Sequence, residues 1–437
     1  LMNTSYDKFI RTTDEDHEAQ VKKIFKRLYD QGDIYKSSYE GMYCTPCESF
    51  WTESQLVDGK CPDCGRECKP AKEEAYFFRM SKYADRLIDY INTHPEFIQP
   101  VSRKNEMMNN FLLPGLQDLC VSRTSFTWGI PVDFDPKHVV YVWLDALTNY
   151  ITGIGYDCDG NSTEQFKKNW PADLHLIGKD IIRFHTIYWP IFLMALDLPL
   201  PKQVFGHPWL LQGDGKMSKS KGNVVDPLDI VEEYGADTLR TYVLFMGDYG
   251  AATPWSENSV KGCKKFLDRV AGLTDILSEE SVSDELEMKL HRTIKKVSSD
   301  IENLKFNTAI ASLMTLINEI TAEGHLSKDD LTIFIKLLSP FAPHICEEIW
   351  EFIGGEGLLA VSEWPKYDEG KTIAKTVEIG VQVNGKVRGT IVIPNGCEKE
   401  KAFEIAKADE RIASFLEGKN LIKEIYVPNK IVNFVAK

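Results

Sequence analysis

The chain has 437 residues, too many for one compact hydrophobic core, so about two to four domains are expected. Hydrophobic residues make up 43% and charged residues 27%, as in ordinary globular proteins, and no apolar run is long enough to span a bilayer, which excludes a membrane role. A net charge of -14 on its own argues against a nucleic-acid partner. That exclusion is weak, because exposed charges are screened beyond ~8 Å and a local basic face can still bind RNA.

The ten cysteines indicate a reducing, cytoplasmic compartment rather than a disulfide framework. Four of them form two tight Cys-x2-Cys pairs, and the others are scattered in mostly apolar surroundings. The chain starts at Leu1 with neither an initiator Met in first position nor a secretory signal, so we expect a fragment.

The first predicted element is a helix over residues 16–33. Val21, Ile24 and Leu28 recur at helical spacing, and Gly32 ends the helix.

A module rich in Cys and Gly follows. Cys44 and Cys47 form one pair and Cys61 and Cys64 the other, and each pair resembles a knuckle that turns two thiolates toward one centre. Four thiolates satisfy tetrahedral Zn²⁺, and no open coordination position is implied, so the zinc is expected to be structural. The alternatives are four surface thiols or a redox pair, although redox motifs rarely come as two spaced pairs. Cys68 is a substitute ligand whose offset from Cys64 fits less well.

Helical periods return over residues 76–119, and then short apolar runs at 139–143 and 174–177 alternate with helical stretches. This alternation predicts a parallel sheet with crossover helices.

A loop with the sequence Gly-Lys-Met-Ser-Lys-Ser-Lys-Gly occupies residues 215–222. A run of Gly, Lys and Ser is usually only a solvated turn, but Lys-Met-Ser-Lys-Ser arises by chance on the order of once in ten thousand such chains. A predicted strand at 204–211 enters the loop, and a predicted helix opens at Pro227.

Residues 254–353 are almost wholly helical in period, which predicts a helix bundle. The last sixty or so residues predict a small α/β domain. Alternation over 377–393 around Asn384-Gly385 is typical of a type I′ hairpin, and a helix near 400–416 and strands at 422–427 and 431–435 follow.

The loop after a sheet strand resembles the KMSKS signature of class I aminoacyl-tRNA synthetases. In that family it handles ATP, with Mg²⁺ accompanying the nucleotide, and attack of a carboxylate on the α-phosphate builds negative charge that ammonium groups stabilise. The resemblance assigns that catalytic role to Lys216 and Lys219, and ATP binding to Lys219. Flanking glycines suit a loop that closes over ATP and reopens.

The first half of the chain resembles the methionyl-tRNA synthetases. The matching stretches are residues 9–17, the four-cysteine module, 122–124, 128–132 and 141–147. The resemblance implies activation of L-methionine with ATP and transfer to tRNA(Met). It also implies a multidomain α/β fold: an incomplete Rossmann-like catalytic domain with a zinc-binding insertion, then an α-helical anticodon-binding bundle and a small α/β C-terminal domain.

The domain boundaries expected on this basis are a remnant of the first half of the catalytic domain at 1–35, the zinc insertion at 36–75, the second part of the catalytic domain at 76–235, a connecting stem at 236–255, the bundle at 256–365 and the C-terminal domain at 375–437.

By position, the family's methionine pocket falls on Trp143, Ala146, Tyr150, Ile181, Phe184, His185 and Trp189. Aromatic walls suit an unbranched thioether. Spacing alone favours ordinary core residues at these positions, and a lone histidine is more often a satisfied core residue. The family's ribose contacts fall on Gly178 and Asp180, and a further nucleotide contact on His207.

Two departures from the family pattern stand out. No His-Ile-Gly-His stretch occurs, so we expect a truncated enzyme, or one completed by another chain, that does not catalyse methionine-dependent ATP–pyrophosphate exchange alone. From about residue 235 onward, segments at 235–240, 255–257, 266–270, 340–348 and 381–389 look more like the leucyl-tRNA synthetases.

The choice of amino acid is made in the sheet domain, so methionine is favoured over leucine. A leucine enzyme would also need an editing insertion, for which residues 76–143 leave no room. The other alternative is a non-catalytic tRNA-binding protein. A basic helical stripe is a candidate phosphate contact or merely a solvated face, and it consists of Lys261, Lys264, Lys265 and Arg269. Lys386 and Arg388 on the hairpin are candidate contacts to the tRNA body, or serve only to discourage edge pairing of the strand.

Overall fold

The structure is a computed structural model, and it describes every residue except 1–5, 46–48, 52, 63, 125–126, 214 and 218–221. The described chain forms two compact units. The sheet unit comprises Thr4–Leu210 with Gly250–Ala252, and the helical unit comprises Leu211–Tyr249 with Thr253–Lys437. Every described helix is too short or too polar to cross a membrane.

The helices of the sheet unit are α1 (Glu15–Asp30), α2 (Ala84–Thr93), α3 (Val101–Met107), α4 (Val142–Thr152), α5 (Glu164–Asn169) and α6 (Trp189–Ala195). Its strands are β1 (Ile34–Cys44), β2 (Ser49–Trp51), β3 (Lys69–Phe78), β4 (Ile98–Gln99), β5 (Leu119–Cys120), β6 (Ser122–Arg123), β7 (Pro131–Val132), β8 (Asp135–Val140), β9 (Leu174–Gly178) and β10 (Gln203–His207).

A parallel sheet at the centre of this unit has the order β4-β10-β9, as the alternation of strands and helices predicts. An antiparallel sheet of order β2-β1-β3-β5 carries the cysteine module, and a third sheet has the order β6-β8-β7. Helix α1 packs its buried Val21, Ile24 and Leu28 into the same core, and Gly32 follows it with a φ of 79° that favours glycine.

Two predictions for this unit were wrong. The run at 139–143 is not one strand, because β8 ends at Val140 and α4 begins at Val142. A short apolar run has no periodicity that separates a strand from a buried helix, and here Tyr141 is the extended residue that precedes the helix. The helical periods expected from Tyr76 also begin too early, since Tyr76 lies in β3.

The helical unit contains a small sheet and a helix bundle, followed by a terminal segment described below. The sheet has the order β12-β11-β13, and its strands are β11 (Leu210–Gln212), β12 (Gly215–Lys216) and β13 (Thr253–Pro254). The helices are α7 (Pro227–Tyr234), α8 (Ala236–Phe245), α9 (Glu257–Ala271), α10 (Asp284–Glu302), α11 (Phe306–Glu323), α12 (Lys328–Leu338) and α13 (Pro343–Phe352). Buried leucine, isoleucine and phenylalanine side chains fill the bundle core.

The last segment folds as β14 (Thr376–Val383), β15 (Lys386–Pro394), α14 (Lys399–Ala408), α15 (Glu410–Leu416), β16 (Leu421–Val427) and β17 (Ile431–Ala436). The predicted hairpin is confirmed: β14 pairs with β15, and Asn384 and Gly385 have φ values of 52° and 75°, as a type I′ turn requires. The single helix expected at 400–416 is two helices, because the Asp409 carboxylate accepts hydrogen bonds from the first N–H groups of α15.

Candidate functional site

An aromatic pair lines one side of the candidate pocket in the sheet unit. Trp143 stands in the first turn of α4, and Phe184 stands in the π-helical turn Phe184–Tyr188. Their rings stack with centroids 3.7 Å apart and planes 12° from parallel. Both side chains are half-buried, so they offer an apolar wall that a ligand can still reach. Ala146, one turn along α4 from Trp143, is also half-buried.

A hydrogen-bonded pair supplies the polar side of the pocket. The Tyr150 hydroxyl lies 2.8 Å from His185 Nε2, and His185 Nδ1 lies 3.0 Å from the carbonyl oxygen of Ile181. Burial lowers the pKa of His185, so the ring is neutral at pH 7. A carbonyl only accepts, so Nδ1 carries the proton and Tyr150 donates to Nε2.

A third aromatic group, Trp189, has its ring 6.2 Å from that of Tyr150 and brings in a residue that sequence reasoning missed. Trp189 is fully buried, and its indole N–H donates to His175 Nε2 at 3.2 Å. The His175 ring lies 4.3 Å from that of Tyr150. Burial, and then the neighbouring His185, lower the pKa of His175 to about 4. A lone histidine in a short apolar strand gives no local signal of this role.

Sequence reasoning also missed His17, which holds helix α4 in place. Helix α4 carries three of the pocket residues. His17 of α1 is fully buried, with Nε2 2.7 Å from an Asp145 carboxylate oxygen and Nδ1 2.7 Å from the Thr152 hydroxyl. Asp145 and Thr152 are seven positions apart and so lie on one face of α4. His17 therefore fixes this helix against α1. The resemblance over residues 9–17 and 141–147 contained these residues without indicating their contact.

The residues expected to contact the nucleotide meet at the ends of two parallel strands. Gly178 ends β9 and pairs in register with His207, the last residue of β10. Asp180 accepts a 2.9 Å hydrogen bond from the indole N–H of Trp209, and Lys179 Nζ stands 3.5 Å from the centroid of that indole. The carboxyl ends of parallel strands are where α/β sheets bind nucleotides. Trp209 was not among the expected contacts.

Only part of the lysine-serine loop lies within the described residues. Lys216 is exposed on β12 of the helical unit, and its carbonyl oxygen accepts a 3.2 Å hydrogen bond from the Asn223 side chain. Lys219 lies outside the described residues.

The cysteine module brings several thiols together. The Sγ atoms of Cys44, Cys61 and Cys68 all lie within 4.8 Å of one another, and Cys64 Sγ lies 3.5 Å from Cys44 Sγ. Cys68 joins this group because β1 pairs with β3 in a register that sets Tyr43 opposite Lys69, so their neighbours Cys44 and Cys68 approach each other. Cys47 lies outside the described residues. Thiols at this spacing can share one metal ion.

Two family models match the chain. The model described as tRNA synthetases class I (M) matches residues 1–73 and 67–261, and the model described as the anticodon-binding domain of tRNA ligase matches residues 284–403. Together they account for most of both units.

Curated relatives bear the name methionine–tRNA ligase. The protein from Clostridium acetobutylicum is 72% identical over 389 residues, covering 80% of this chain and 60% of the relative. The protein from Clostridium perfringens is 60% identical over 337 residues, covering 73% of this chain and 52% of the relative. The chain therefore spans between half and two thirds of the length of these relatives.

Solved structures are similar as well. Mycobacterium tuberculosis methionyl-tRNA synthetase in complex with methionyl-adenylate is 34% identical, with a TM-score of 0.70, covering 81% of this chain and 78% of that one. A ternary complex of a leucyl-tRNA synthetase from Agrobacterium radiobacter, with tRNA and LeuAMS, covers 98% of this chain and 84% of its own, with a TM-score of 0.76. At 20% identity the second likeness shows the fold alone.

Proposed function

Because the chain belongs to the methionine class of the class I tRNA synthetases, we propose that it is part of a methionine–tRNA ligase. The reaction forms methionyl-adenylate from L-methionine and ATP with release of pyrophosphate, and then transfers the methionyl group to tRNA(Met) with release of AMP. One observation carries the proposal for the substrate: the pocket in which Trp143 stacks on Phe184 beside the Tyr150–His185 pair. Leucine is the rival amino acid, and the names of the relatives favour methionine over it.

The pocket chemistry suits a long, unbranched thioether. Sulfur is polarisable and gains about 0.3–1.5 kcal/mol beside an aromatic ring, so Trp143, Phe184 and Trp189 attract it. Ala146 leaves room for the side chain, and Ile181 orients His185 through its carbonyl oxygen. Such a pocket selects mainly by shape, since the thioether is only a weak acceptor.

The nucleotide half of the site is proposed on the residues at the strand ends. Asp180 would accept the ribose hydroxyls, while Gly178 and His207 border the nucleotide where β9 and β10 end. Mg²⁺ would arrive with ATP, bound to the phosphate oxygens. Lys216 and Lys219 would stabilise the charge that develops on the α-phosphate and on the leaving pyrophosphate.

Structural zinc in the cysteine module is part of the same proposal. Four sulfurs around one Zn²⁺, each about 2.3 Å from the ion, stand about 3.8 Å from one another. The 3.5 Å between Cys44 and Cys64, and the grouping of Cys44 with Cys61, are close to that geometry. Cys47 completes the expected set of four, and Cys68 is the competing fourth ligand. Zinc would hold together the hairpin of β1 and β3.

Metal content tests the zinc proposal without requiring activity. The purified chain is expected to hold about one zinc ion, measured by elemental analysis, and Cys61→Ser to lose it. Cys397→Ser, far from the module in sequence, is the matched control and should keep the metal. A wild-type chain without zinc, or a Cys61→Ser variant that retains it, overturns the proposal.

Amino-acid binding by the chain tests the proposed substrate. Isothermal titration is expected to show binding of L-methionine and at least ~10-fold weaker binding of L-leucine. Trp143→Ala should weaken methionine binding, because the thioether loses one aromatic wall. Equal binding of the two amino acids, or tighter binding of leucine, would refute the assignment.

A cytoplasmic location accompanies the proposal, since no described cysteine forms a disulfide.

A further inference from the structure

A groove runs between α10 and α11 in the helical unit. It encloses about 310 Å³. Three cations of α10, Lys289, Arg292 and Lys296, line one side of the groove. Ser312, Thr315 and Glu319 of α11 line the other side. We call it the α10–α11 groove.

Arg292 distinguishes this groove from other basic surfaces of the chain. Its Nε donates a 2.6 Å hydrogen bond to the carbonyl oxygen of Thr372, which fixes the plane of the guanidinium group. Among the described residues it has no ion-pair partner and no other hydrogen bond. An exposed arginine held in one orientation therefore presents its four terminal N–H donors to a ligand.

The flanking lysines are already paired, but their charges remain within reach of a ligand. Lys289 lies 2.7 Å from both Glu285 and Glu319, and Lys296 forms an ion pair with Asp300. The pairs of Lys289 are partly exposed and contribute little to stability, so a stronger anion can compete for this lysine, whereas the buried Asp300 keeps Lys296 in place beside the groove. From Lys289 to Lys296 the cations extend about 10 Å along α10, which makes the charge a strip rather than a point.

The basic stripe of α9, which the sequence left open as an RNA contact or a solvated face, differs from this groove. On α9, Lys261 pairs with Glu257 and Lys264 with Asp268. Arg269 donates to Asn318 and Thr321 of α11. The α9 ion pairs are as exposed as those of Lys289, so ion pairing alone does not distinguish the two helices. The arginines do: Arg269 donates to side chains of α11, whereas the terminal nitrogens of Arg292 form no hydrogen bond with a described residue.

From this geometry we infer that the α10–α11 groove binds a phosphodiester of the RNA backbone, with Arg292 as a bidentate donor to the phosphate oxygens. The planar guanidinium matches two phosphate oxygens, whereas a lysine offers only a point charge. The groove lies within the residues that match the anticodon-binding domain of tRNA ligases, and the inference rests on the proposed function in naming tRNA as the partner. The contact positions the RNA and carries no sequence information.

Binding of a labelled tRNA(Met) transcript to the full chain, followed by fluorescence anisotropy between about 50 and 200 mM salt, tests the inference. Arg292→Gln is expected to weaken binding about 10-fold at the lower salt concentration. It should also reduce the slope of log K against log salt by about 0.7–0.9, the change for one lost phosphate contact. Arg292→Lys should restore only part of the affinity, because lysine keeps the positive charge but lacks the paired N–H donors of the guanidinium group.

Lys328→Gln on α12 is the matched control, since it removes one positive charge from an exposed lysine of the same bundle that forms no ion pair with a described residue. It is expected to leave the salt slope unchanged. Equal effects of Lys328→Gln and Arg292→Gln would mean that only net charge matters and would overturn the proposed phosphate contact. So would a loss of tRNA binding in Arg292→Gln that accompanies a lowered thermal midpoint and recurs fully in Arg292→Lys.

Two further measurements distinguish failure of the groove proposal from failure of the proposed function. Titration of inorganic phosphate distinguishes a small-anion site: tight binding of phosphate that depends on Arg292, with tRNA affinity unchanged in Arg292→Gln, would overturn the RNA assignment. Methionine binding is measured on the same preparations. If the wild-type chain binds methionine and tRNA but Arg292→Gln matches it, the groove alone fails. If the wild-type chain binds neither, the proposed function fails as well.

Discussion

The core of the helix bundle and the core around the aromatic pocket are built from different side chains. The bundle core consists of aliphatic residues, phenylalanines and the thiol of Cys346. All the histidines that are buried in the described chain lie in the sheet unit, and they are His17, His138, His175 and His185. A buried aliphatic side chain stabilises the fold without needing a hydrogen-bond partner, whereas a buried imidazole must find such partners and stay neutral. Two of these imidazoles, His175 and His185, lie in the candidate pocket, and His17 holds the helix that carries three of its residues.

Each of the buried imidazoles near the pocket has found such partners. His185 bonds to Ile181 and Tyr150, and His175 accepts from the indole of Trp189. A satisfied polar network in a low-dielectric setting holds one arrangement of side chains firmly. Both imidazoles are therefore held in one orientation, which would lower the entropic cost of binding a ligand at the candidate pocket.

The largest effect is expected from a cavity in the bundle. Leu313 of α11 is fully buried, so Leu313→Ala should lower the free energy of unfolding of the helical unit by about 2–5 kcal/mol, measured by urea denaturation. Leu358→Ala is the matched control, because Leu358 is 63% exposed, and its effect should stay within about 0.5 kcal/mol. Methionine affinity should not change in either variant. Loss of methionine binding in folded Leu313→Ala would show that the two cores are not separate.

A smaller effect is expected from pH, and it should arise in the sheet unit. The pKa of His175 is lowered to about 4 in the folded chain, against about 6.5 when unfolded, so between these values the unfolded state binds more protons. Stability should therefore fall as the pH drops from about 6.5 toward 4, by up to ~3 kcal/mol for this residue at ~1.4 kcal/mol per pKa unit.

His175→Gln isolates that effect, since the Gln side-chain oxygen can still accept from Trp189 but does not titrate. Its stability relative to the wild type should improve as the pH falls through this window, measured by urea unfolding at several pH values. Parallel curves for the two proteins would show that His175 does not carry the pH dependence.

A still smaller effect is expected from one hydrogen bond of the pocket. Tyr150→Phe removes the hydroxyl that donates to His185, and a neutral hydrogen bond contributes about 0.5–1.5 kcal/mol. Methionine affinity should fall roughly 2- to 10-fold in isothermal titration. Tyr90→Phe makes the same chemical change at a hydroxyl with no hydrogen bond among the described residues, and it should leave the affinity unaltered. Equal methionine affinities in the two variants would show that the Tyr150 hydroxyl does not contribute to methionine binding.

Local pattern predicted the fold where the signal is local. The period of α1 and the Asn384-Gly385 turn depend on neighbouring residues, and both are present in the structure. Where a run is short and wholly apolar, as at 139–143, the choice between strand and helix is made by tertiary packing, and the prediction was wrong there.

The candidate site was predictable only as far as resemblance reached. Resemblance located Trp143, Tyr150 and His185, which do come together. It did not indicate His175, because its partner Trp189 lies 14 positions away on another element and only the fold brings the two together. The basic stripe of α9 was conspicuous in the sequence because its lysines stand close together. Their i,i+4 partners lie in the same stretch, whereas the contacts of Arg269 with Asn318 and Thr321 form only when α9 packs on α11.

The smallest effect is expected from an ion pair in that stripe. Its measurement tests whether α9 is held in the bundle by side-chain packing or by its surface charges. Lys264 and Asp268 form an i,i+4 ion pair in which both side chains are largely exposed. A double-mutant cycle with Lys264→Gln and Asp268→Asn should give a coupling free energy of only about 0.3–0.5 kcal/mol, measured by urea denaturation. The coupling should vanish near 1 M salt, where the Debye length is about 3 Å. A coupling well above 1 kcal/mol that survives salt would mean that α9 is held by its charges. The fully buried Val260 and Val270 of the same helix predict instead that packing holds it.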